Sequence, residues 1–456
     1  MKLRPAIESA YELLDRSILY WRGNPVGTLA ACASSSEAEN YSECFVRDFV
    51  PSALVFLMDG RDEIVLNFLH SVMHLQGQQV EMEGHRHAVG LMPASFKVHH
   101  AEDGSEELIA DFGDRAIGRV APVDSAMWWI ILLRAYVICK GDIKLAHSPD
   151  FQQAIRLILQ LYLHETFVTS PALLVPDASF MIDRRMGVYG HPLEIEALFY
   201  GTLVSAYELL IHNEENANLL AVIQKRLQTL RSYVRLFYWL DVNRLNEIHR
   251  YKGEEFGLDA VNVLNIFPES IPHWLDGWLK AGNGYMVGNV GPSRIDFRFF
   301  SMGNLLSILF GLTTDEQADQ IMNLCELRWD DLIGEMPMKL CYPAMLDKEW
   351  EFRTGADPKN VPWSYHNGGS WPTLMWAFTG AAIRAGRAHL AERAFELCID
   401  RLYNDQWPEY YDGRKGSLIG RRANLHQVWS ATAIIISYQL LENPDSVSVF
   451  ESIIFS

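Results

Sequence analysis

The sequence predicts an all-α fold built from antiparallel helical hairpins. Apolar residues recur at helical spacing along most of the 456 residues, and convincing strand patterns are few. About twelve segments carry the helical pattern. They lie near residues 4–21, 46–58, 62–75, 123–139, 151–163, 191–212, 217–239, 303–311, 315–330, 370–386, 388–403 and 425–441. Short runs at Ser95–His99 and Lys339–Ala344 fit hairpins within loops.

Local signals mark where some of these helices begin. The segment near 315–330 starts at Thr314-Asp-Glu-Gln317, which has the spacing of a capping box. From Ala318 to Cys325 it continues with an apolar stripe at i, i+3, i+4 and i+7. Ser148-Pro149 supplies an N-cap residue followed by proline at the first helical position. These signals support helices at the two places.

A set of helical hairpins can form an open solenoid or a closed toroid of six hairpins, the (α/α)6 barrel. A solenoid of repeats shows self-similarity at a fixed period, and the sequence has none. Long connections rich in Gly, Pro and aromatic residues alternate with short ones. The long connections are 76–122, 164–190, 240–300, 331–369 and 404–424. Because long loops on one rim of a toroid build a cleft, we predict one (α/α)6-barrel domain over residues 1–456.

Composition excludes several classes of partner. The formal net charge of −18 argues against binding to nucleic acid or to an anionic membrane surface. The six cysteines are scattered without a CxxC pair, which is typical of reduced thiols rather than disulfides or zinc ligands. The first 21 residues lack a signal-peptide core, and the longest apolar run, Ala126–Leu133, is too short to span a bilayer. We predict a cytoplasmic protein with a neutral small-molecule partner, and a homo-oligomer is compatible with the sequence.

The segment Trp363–Pro372 has a composition that packing alone does not require. His and Asn supply directional hydrogen bonds, the aromatic rings supply flat apolar faces, and the paired glycines Gly368 and Gly369 permit close approach to a ligand. Sugars are the commonest ligands that need this mixture. The candidate sugar-binding residues in this segment are Tyr365, His366, Asn367 and Trp371. The segment therefore points to a carbohydrate-active enzyme.

Two carboxylates in separate loops are candidate catalytic residues. Asp183 lies between an apolar run and two arginines, and Glu409 lies within Trp-Pro-Glu-Tyr-Tyr. Glycosidic cleavage requires one carboxylic acid and one carboxylate that serves as base or nucleophile. The alternative is that both are solvated or salt-bridged loop residues.

Three further charged residues have both a structural and a functional interpretation. Arg47-Asp48 stands among apolar residues at a helix start, either as a buried structural ion pair or as a clamp on vicinal sugar hydroxyls. Asp124 precedes a very apolar helix, and it is either an N-cap or a cleft residue. The histidines at 85, 87, 99 and 100 lack HExxH or a cysteine pattern, so no metal site is predicted.

Taken together, seven segments resemble the alkaline/neutral invertases of plants and cyanobacteria, glycoside hydrolase family 100. They are Phe45–Leu54, Ala116–Asp124, Arg185–Gly190, Gly288-Asn289, Cys341–Pro343, Trp363–Pro372 and Trp407–Gly413. They follow one another in unbroken order over nearly the whole chain, and several are long and unusual.

The resemblance implies an (α/α)6 barrel that hydrolyses sucrose to glucose and fructose with no metal or other cofactor. It implies that Asp183 is the general acid, that Glu409 is the general base, and that Arg47 and Asp48 hold the non-reducing glucose. The long N-terminal extension of organelle-targeted plant members is lacking, which favours a bacterial, cyanobacterial-type, cytosolic enzyme.

Two other functions remain open at this point. The first is an exo-α-glucosidase of the same architecture that acts on trehalose or on maltose-like disaccharides. The second, from a different class, is a noncatalytic sugar-binding protein on a decayed toroid. The presence of both Asp183 and Glu409 within intact aromatic loops favours an enzyme.

Overall fold

The computed structural model describes residues 3–32, 39–77, 89–113, 122–164, 168–169, 171–175, 180–182, 186–253, 262, 264, 266–291 and 294–454. Most of these residues are helical. The helices are α1 (Leu3–Arg16), α2 (Val46–Met58), α3 (Asp62–His74), α4 (Ser125–Lys140), α5 (Ile143–Ala146), α6 (Pro149–Tyr162), α7 (Leu193–Leu209), α8 (Ala217–Phe237), α9 (Val242–Gly253), α10 (Ser301–Leu309), α11 (Asp315–Leu327), α12 (Trp329–Leu332), α13 (Asp347–Thr354), α14 (Met375–Arg384), α15 (Ala388–Asn404), α16 (Val428–Glu442) and α17 (Pro444–Ile454).

Six of the helices form a closed inner ring. In order around the ring, α2 packs on α4, α4 on α7, α7 on α10, α10 on α14 and α14 on α16. The ring closes because α16 packs against α2. An open solenoid leaves its first and last helices apart, so this contact confirms the predicted (α/α)6 barrel.

Burial along the sequence explains which helices lie inside. Every residue of α4 from Ser125 to Val137 is buried, and α16 is buried from Val428 to Ser437. A helix that is apolar on all sides removes its side chains from water only when it lies in the protein interior. By contrast, α15 buries a stripe from Leu390 to Leu402 and exposes its other face. It therefore packs as an outer helix on α14 and α16.

Short strands lie in the segments that connect the helices. They are β1 (Ile18–Trp21), β2 (Asn24–Thr28), β3 (Cys44–Phe45), β4 (Ser95–His100), β5 (Glu106–Asp111), β6 (Val168–Thr169), β7 (Ala172–Leu173), β8 (His191–Pro192), β9 (Trp239–Asp241), β10 (Gly284–Val290), β11 (Ile295–Phe300) and β12 (Cys341–Tyr342). The largest sheet has the order β12-β11-β10-β8, with β9 also paired to β10. Its antiparallel hairpin β10–β11 leads directly into the inner helix α10.

The structure confirms all twelve predicted helices, with shorter limits at several ends. The first helix ends at Arg16 rather than near 21, because Ile18–Trp21 pairs with Asn24–Thr28 as strand β1. The capping box is formed: the Gln317 amide donates to the Thr314 hydroxyl at 3.1 Å, and the Thr314 amide donates to the Gln317 side chain at 3.0 Å. Ser148 occupies the N-cap position before Pro149, although its side chain makes no capping bond.

Other elements were absent from the sequence prediction. The helices α5, α9, α13 and α17 and the hairpin β10–β11 all lie in segments predicted as loops or ends, and α12 is a separate short helix that starts at the end of the predicted helix 315–330. Helix α17 packs against α4, α16 and α2, and its Phe450, Ile453 and Ile454 are buried. Within the described ranges, no helix is long and apolar enough to cross a membrane.

A buried carboxyl near the start of α7 links stability to pH. Glu196 is fully buried, and one of its carboxyl oxygens accepts the amide N–H of Leu173 at 3.0 Å. Among the residues that the structure describes, its other oxygen, Oε2, has no hydrogen-bond partner. Burial raises the pKa of Glu196 to about 8, against smaller lowering effects of the Leu173 N–H and of Arg226.

We predict that Glu196→Gln removes part of the pH dependence of stability. Because burial raises the pKa of Glu196 from its ordinary value of 4.5 to about 8 in the folded protein, the folded state binds the extra proton between these values. The parent therefore loses stability as pH rises through this window, whereas the neutral amide does not titrate. In thermal melts at pH 5, 7 and 9, the melting temperature of the variant should rise relative to that of the parent as the pH rises. The control is Glu392→Gln, at an exposed position of α15, and a constant difference for Glu196→Gln would contradict the prediction.

Candidate active site

The first turns of the inner helices meet around a cavity on the barrel axis. Its lining includes Arg47 from α2, Trp128 from α4, Met302 from α10, Trp376 from α14 and Trp429 from α16. The N-termini of these helices therefore lie at one rim. The first N–H groups of a helix have no partner within the helix, and the helix dipole makes this end positive. A rim built in this way favours carboxylates.

The segment that leads to Asp183 enters this rim. Met181 lines the axial cavity, and both Met181 and Ile182 are buried. Glu194, in the first turn of α7, holds this segment by accepting the Met181 amide N–H at 3.1 Å. Asp183 itself lies outside the described residues, so its predicted role stays a prediction.

Arg47 forms its ion pair with Asp124 rather than with its neighbour in sequence. The Arg47 guanidinium donates to both carboxylate oxygens of Asp124, with Nη2 to Oδ1 at 3.1 Å. Asp124 is fully buried, while the Arg47 side chain keeps 24% exposure. Asp124 occupies the N-cap position of α4, but its side chain makes no capping bond. The carboxylate therefore orients Arg47, and the capping interpretation of Asp124 was wrong.

Asp48 lies beside this pair and remains partly exposed. Burial raises the pKa of Asp48 to about 7, with Arg47 lowering it and the charges of Glu409 and Asp124 raising it. Burial likewise raises the pKa of Glu194 to about 8, and Asp124 raises it further. Asp48 therefore lies within electrostatic range of Arg47, of Asp124 and of Glu409.

The two aromatic loops predicted to carry the site are joined through their backbones. The amide of Ser370 donates to the carbonyl of Tyr411 at 2.9 Å, and the amide of Tyr411 donates back at 2.8 Å. A third bond links the Gly413 amide to the Trp363 carbonyl at 2.8 Å. A Cβ on Gly413 would lie 1.7 Å from the Gly368 oxygen, so glycine is required there. The two loops therefore form one unit.

Glycine at 369 has a different purpose from the one predicted. A Cβ at Gly369 would lie 2.5 Å from the carbonyl oxygen of Tyr365. The close approach is thus to the loop's own backbone, whereas the sequence had suggested a ligand. Gly368 supplies a second constraint, with φ of +83° in the left-handed region that side chains disfavour.

Glu409 projects from this unit into a buried environment. Its exposed fraction is 2%. The hydroxyl of Tyr41 donates to Oε1 at 2.8 Å, and the amide of Asn424 donates to Oε2 at 3.4 Å. The backbone of Glu409 is also fixed, since its amide donates to the carbonyl of Asn424 at 2.8 Å. A carboxylate held in this way at a buried rim is suited to proton transfer.

The aromatic residues around Glu409 form a stacked cluster. Tyr365 lies against His366, with ring centroids 4.0 Å apart, and against Trp371 at 5.1 Å. Trp371 is 1% exposed and stacks on Tyr410 at 5.4 Å. The indole N–H of Trp371 donates to the carbonyl of Tyr365 at 3.1 Å. The rings therefore support the loop that carries them.

Asn367 is also directed toward the protein. It is fully buried, and its side-chain oxygen accepts the Met345 amide at 2.6 Å. Its amide nitrogen donates to the carbonyls of Met345 and Asn360, each at 3.1 Å. The contacts of Asn367 and Trp371 thus shape the loop, and a sugar contact by either stays a prediction. Tyr365 and His366 are the more accessible of the four, at 9% and 7% exposure.

Three bulky residues of the same two loops have a strained backbone. Trp363, Tyr365 and Trp407 have φ values of +67°, +50° and +56°. Bulky residues rarely adopt this region, and each such residue costs about 1–3 kcal/mol. The hydrogen bonds between the loops hold these conformations. Strained aromatic residues beside a buried carboxylate are typical of a pre-organised site.

Comparison with known proteins assigns the chain to a family. The model of the family described as alkaline and neutral invertase matches residues 10–444. The chain belongs to this family. It is 50% identical over 451 residues to probable alkaline/neutral invertase F of Arabidopsis thaliana, covering 98% of this chain and 90% of that protein. It is also 50% identical over 447 residues to cytosolic invertase 1 of Oryza sativa subsp. japonica, covering 98% and 80%.

A solved structure supports the fold of this invertase-family chain. It is similar to a GH63 mannosylglycerate hydrolase from Thermus thermophilus in complex with glucose, with a TM-score of 0.54 and 13% identity. The match covers 95% of this chain and all of the other. At this identity the likeness bears on the barrel alone. The family match is what supports a glycoside hydrolase enzyme.

Two residues of this invertase-family site were not predicted from the sequence. Tyr41 is one of 18 tyrosines and belongs to a short 3-10 helix, Glu39–Ser42, far from Glu409 in sequence. Glu194 resembles any acidic residue in a first helical turn. Neither stands in a motif that marks it. In the part of the chain that the structure describes, no cluster of three or more His, Cys, Asp or Glu could hold a metal ion.

Proposed function

We propose that this chain hydrolyses sucrose to glucose and fructose, acting from the glucose side with inversion at the anomeric carbon. Its membership of the alkaline and neutral invertase family supports the reaction. The observation that carries the mechanism is the buried Glu409 carboxylate, which is held by Tyr41 and the Asn424 N–H.

In the proposed reaction, each carboxyl group moves one proton. Asp183 gives its proton to the bridging oxygen as the bond between this oxygen and the glucosyl anomeric carbon breaks. Glu409 takes a proton from a water whose oxygen bonds to the same carbon from the opposite face. An inverting pair of carboxyl groups stands roughly 6.5–9.5 Å apart, which leaves room for this water. The mechanism needs no metal or other cofactor.

Arg47 and Asp48 are the proposed contacts to the glucose ring. The guanidinium of Arg47 is already oriented by Asp124 and retains an exposed part. Asp48 is partly exposed beside it and lies close to Glu409. A guanidinium and a carboxyl side by side can donate to and accept from neighbouring hydroxyls. Tyr365 and His366 complete the proposed sugar-binding set, while Asp124, Asn367 and Trp371 support it.

A cytoplasmic location is part of the proposal. One relative is named a cytosolic invertase, whereas others carry chloroplastic or mitochondrial in their names. The proposed partner is the small-molecule substrate.

The substrate assignment predicts a clear order of activities. With purified protein and equal concentrations of sucrose, maltose and trehalose, glucose release should be fastest from sucrose by at least tenfold, a difference of about 1.4 kcal/mol in transition-state binding. Fructose should appear in equal amount. Equal or faster turnover of maltose or trehalose would identify another exo-α-glucosidase. Sucrose binding without release of reducing sugar would identify a noncatalytic protein.

The role of Asp183 predicts a substrate-dependent loss. Asp183→Asn keeps the size of the side chain but cannot deliver a proton, so sucrose hydrolysis should fall by about 10²–10⁴-fold. Glucosyl fluoride needs little protonation of its leaving group, so its hydrolysis should be partly spared. The matched control is Asp48→Asn, which should slow the hydrolysis of both substrates alike because both present the same glucose ring. If Asp183→Asn hydrolyses sucrose within a few-fold of the parent, Asp183 is not the acid.

A further inference from the structure

We infer that Tyr41 is a positioning residue for the reaction, because its phenol holds one oxygen of Glu409 and leaves the other, more weakly held oxygen to receive the proton of the water. The inference rests on the proposed role of Glu409 as base. The hydroxyl of Tyr41 donates to Oε1 of Glu409 at 2.8 Å, although the two residues are 368 positions apart. The longer contact of Oε2 with the Asn424 amide, at 3.4 Å, leaves that oxygen the more weakly held.

The Tyr41 phenol acts only as a donor in this contact. Burial raises the pKa of Tyr41 well above its ordinary value, and the negative charge of Glu409 raises it further. The phenol is therefore protonated at neutral pH and can donate. A hydrogen bond donated to a carboxylate favours its ionised form. This is the form that a general base requires before it can accept a proton.

The place of Tyr41 in the fold does not depend on its hydroxyl. The carbonyl of Tyr41 accepts the amide of Ala31 at 3.2 Å, which anchors the short helix Glu39–Ser42. The ring lies close enough to Tyr365 and Asp48 for their charges to act on the phenol. Phenylalanine keeps the ring and the backbone bond, so within the described part of the chain Tyr41→Phe removes the bond to Glu409 alone.

The test is the pH profile of Tyr41→Phe on sucrose. We expect kcat to fall at least tenfold with KM within about threefold, since the variant leaves the proposed glucose contacts in place. The acidic limb of the profile should move to higher pH, because the ionised base has lost its donor. A merely structural residue would change the melting temperature without moving this limb. Parental kcat and an unmoved limb would overturn the inference.

The matched control is Tyr410→Phe, a buried phenol next to Glu409 in sequence. Its hydroxyl donates to the carbonyl of Arg421 at 2.6 Å and lies 3.2 Å from the Ser364 hydroxyl. Loss of this hydroxyl should lower stability and leave the acidic limb in place. If Tyr410→Phe moves the limb as far as Tyr41→Phe does, the specific role of Tyr41 is refuted.

A double-mutant cycle with Glu409→Gln separates this inference from the proposed function. If Glu409→Gln retains parental activity, the assignment of the base fails. If Glu409→Gln is inactive while Tyr41→Phe is unchanged, only the inference fails. When Tyr41 acts through Glu409, adding Tyr41→Phe to Glu409→Gln should not reduce residual activity further. If Tyr41→Phe lowers kcat by the same factor in the Glu409→Gln background as in the parent, Tyr41 does not act through Glu409.

Discussion

The contact between α16 and α2 is the constraint on which the rest of the structure depends. It joins the last inner helix to the first and turns a row of hairpins into a ring. Tyr41, just before α2, then meets Glu409, in the loop that leads to α16, across 368 positions of sequence. The same closure places the first turns of the inner helices around one axial cavity. A change that opened this contact would separate the proposed base from both Tyr41 and the glucose contacts.

Closure of the ring also brings several acidic residues together at the rim formed by the N-termini of the inner helices. Asp48, Asp124 and Glu194 all stand at the first turn of an inner helix, with Arg47 beside them. Burying a carboxylate is costly unless it is paired or hydrogen-bonded. Asp124 is paired with Arg47, and Glu194 accepts the Met181 amide. The remaining cost appears as the raised pKa values of Asp48, about 7, and Glu194, about 8, in both of which burial is the largest cause.

The sequence predicted the helices well because a helix half-buried or fully buried over several turns leaves a strong 3.6-residue pattern. It missed the hairpin β10–β11 because Gly284–Asn289 is buried on both faces, so the alternation typical of a strand is lost. For Asp124 the sequence left both an N-cap and a cleft residue open, because its position matches an N-cap and the arginine that takes its carboxylate lies on another helix. Tyr41 could not be found, since only ring closure brings it to Glu409. Local patterns thus predict elements and motif residues, but partners across the ring require the fold.

The anomeric configuration of the released glucose tests the central claim most directly. If Glu409 activates a water, α-linked sucrose must yield β-glucose first, and proton NMR before mutarotation should detect it. A carboxylate that attacked the anomeric carbon directly would stand about 5–5.5 Å from the acid and would retain configuration through a covalent intermediate. Initial release of β-glucose is the result that this account predicts. Initial release of α-glucose would contradict it and make Glu409 a nucleophile.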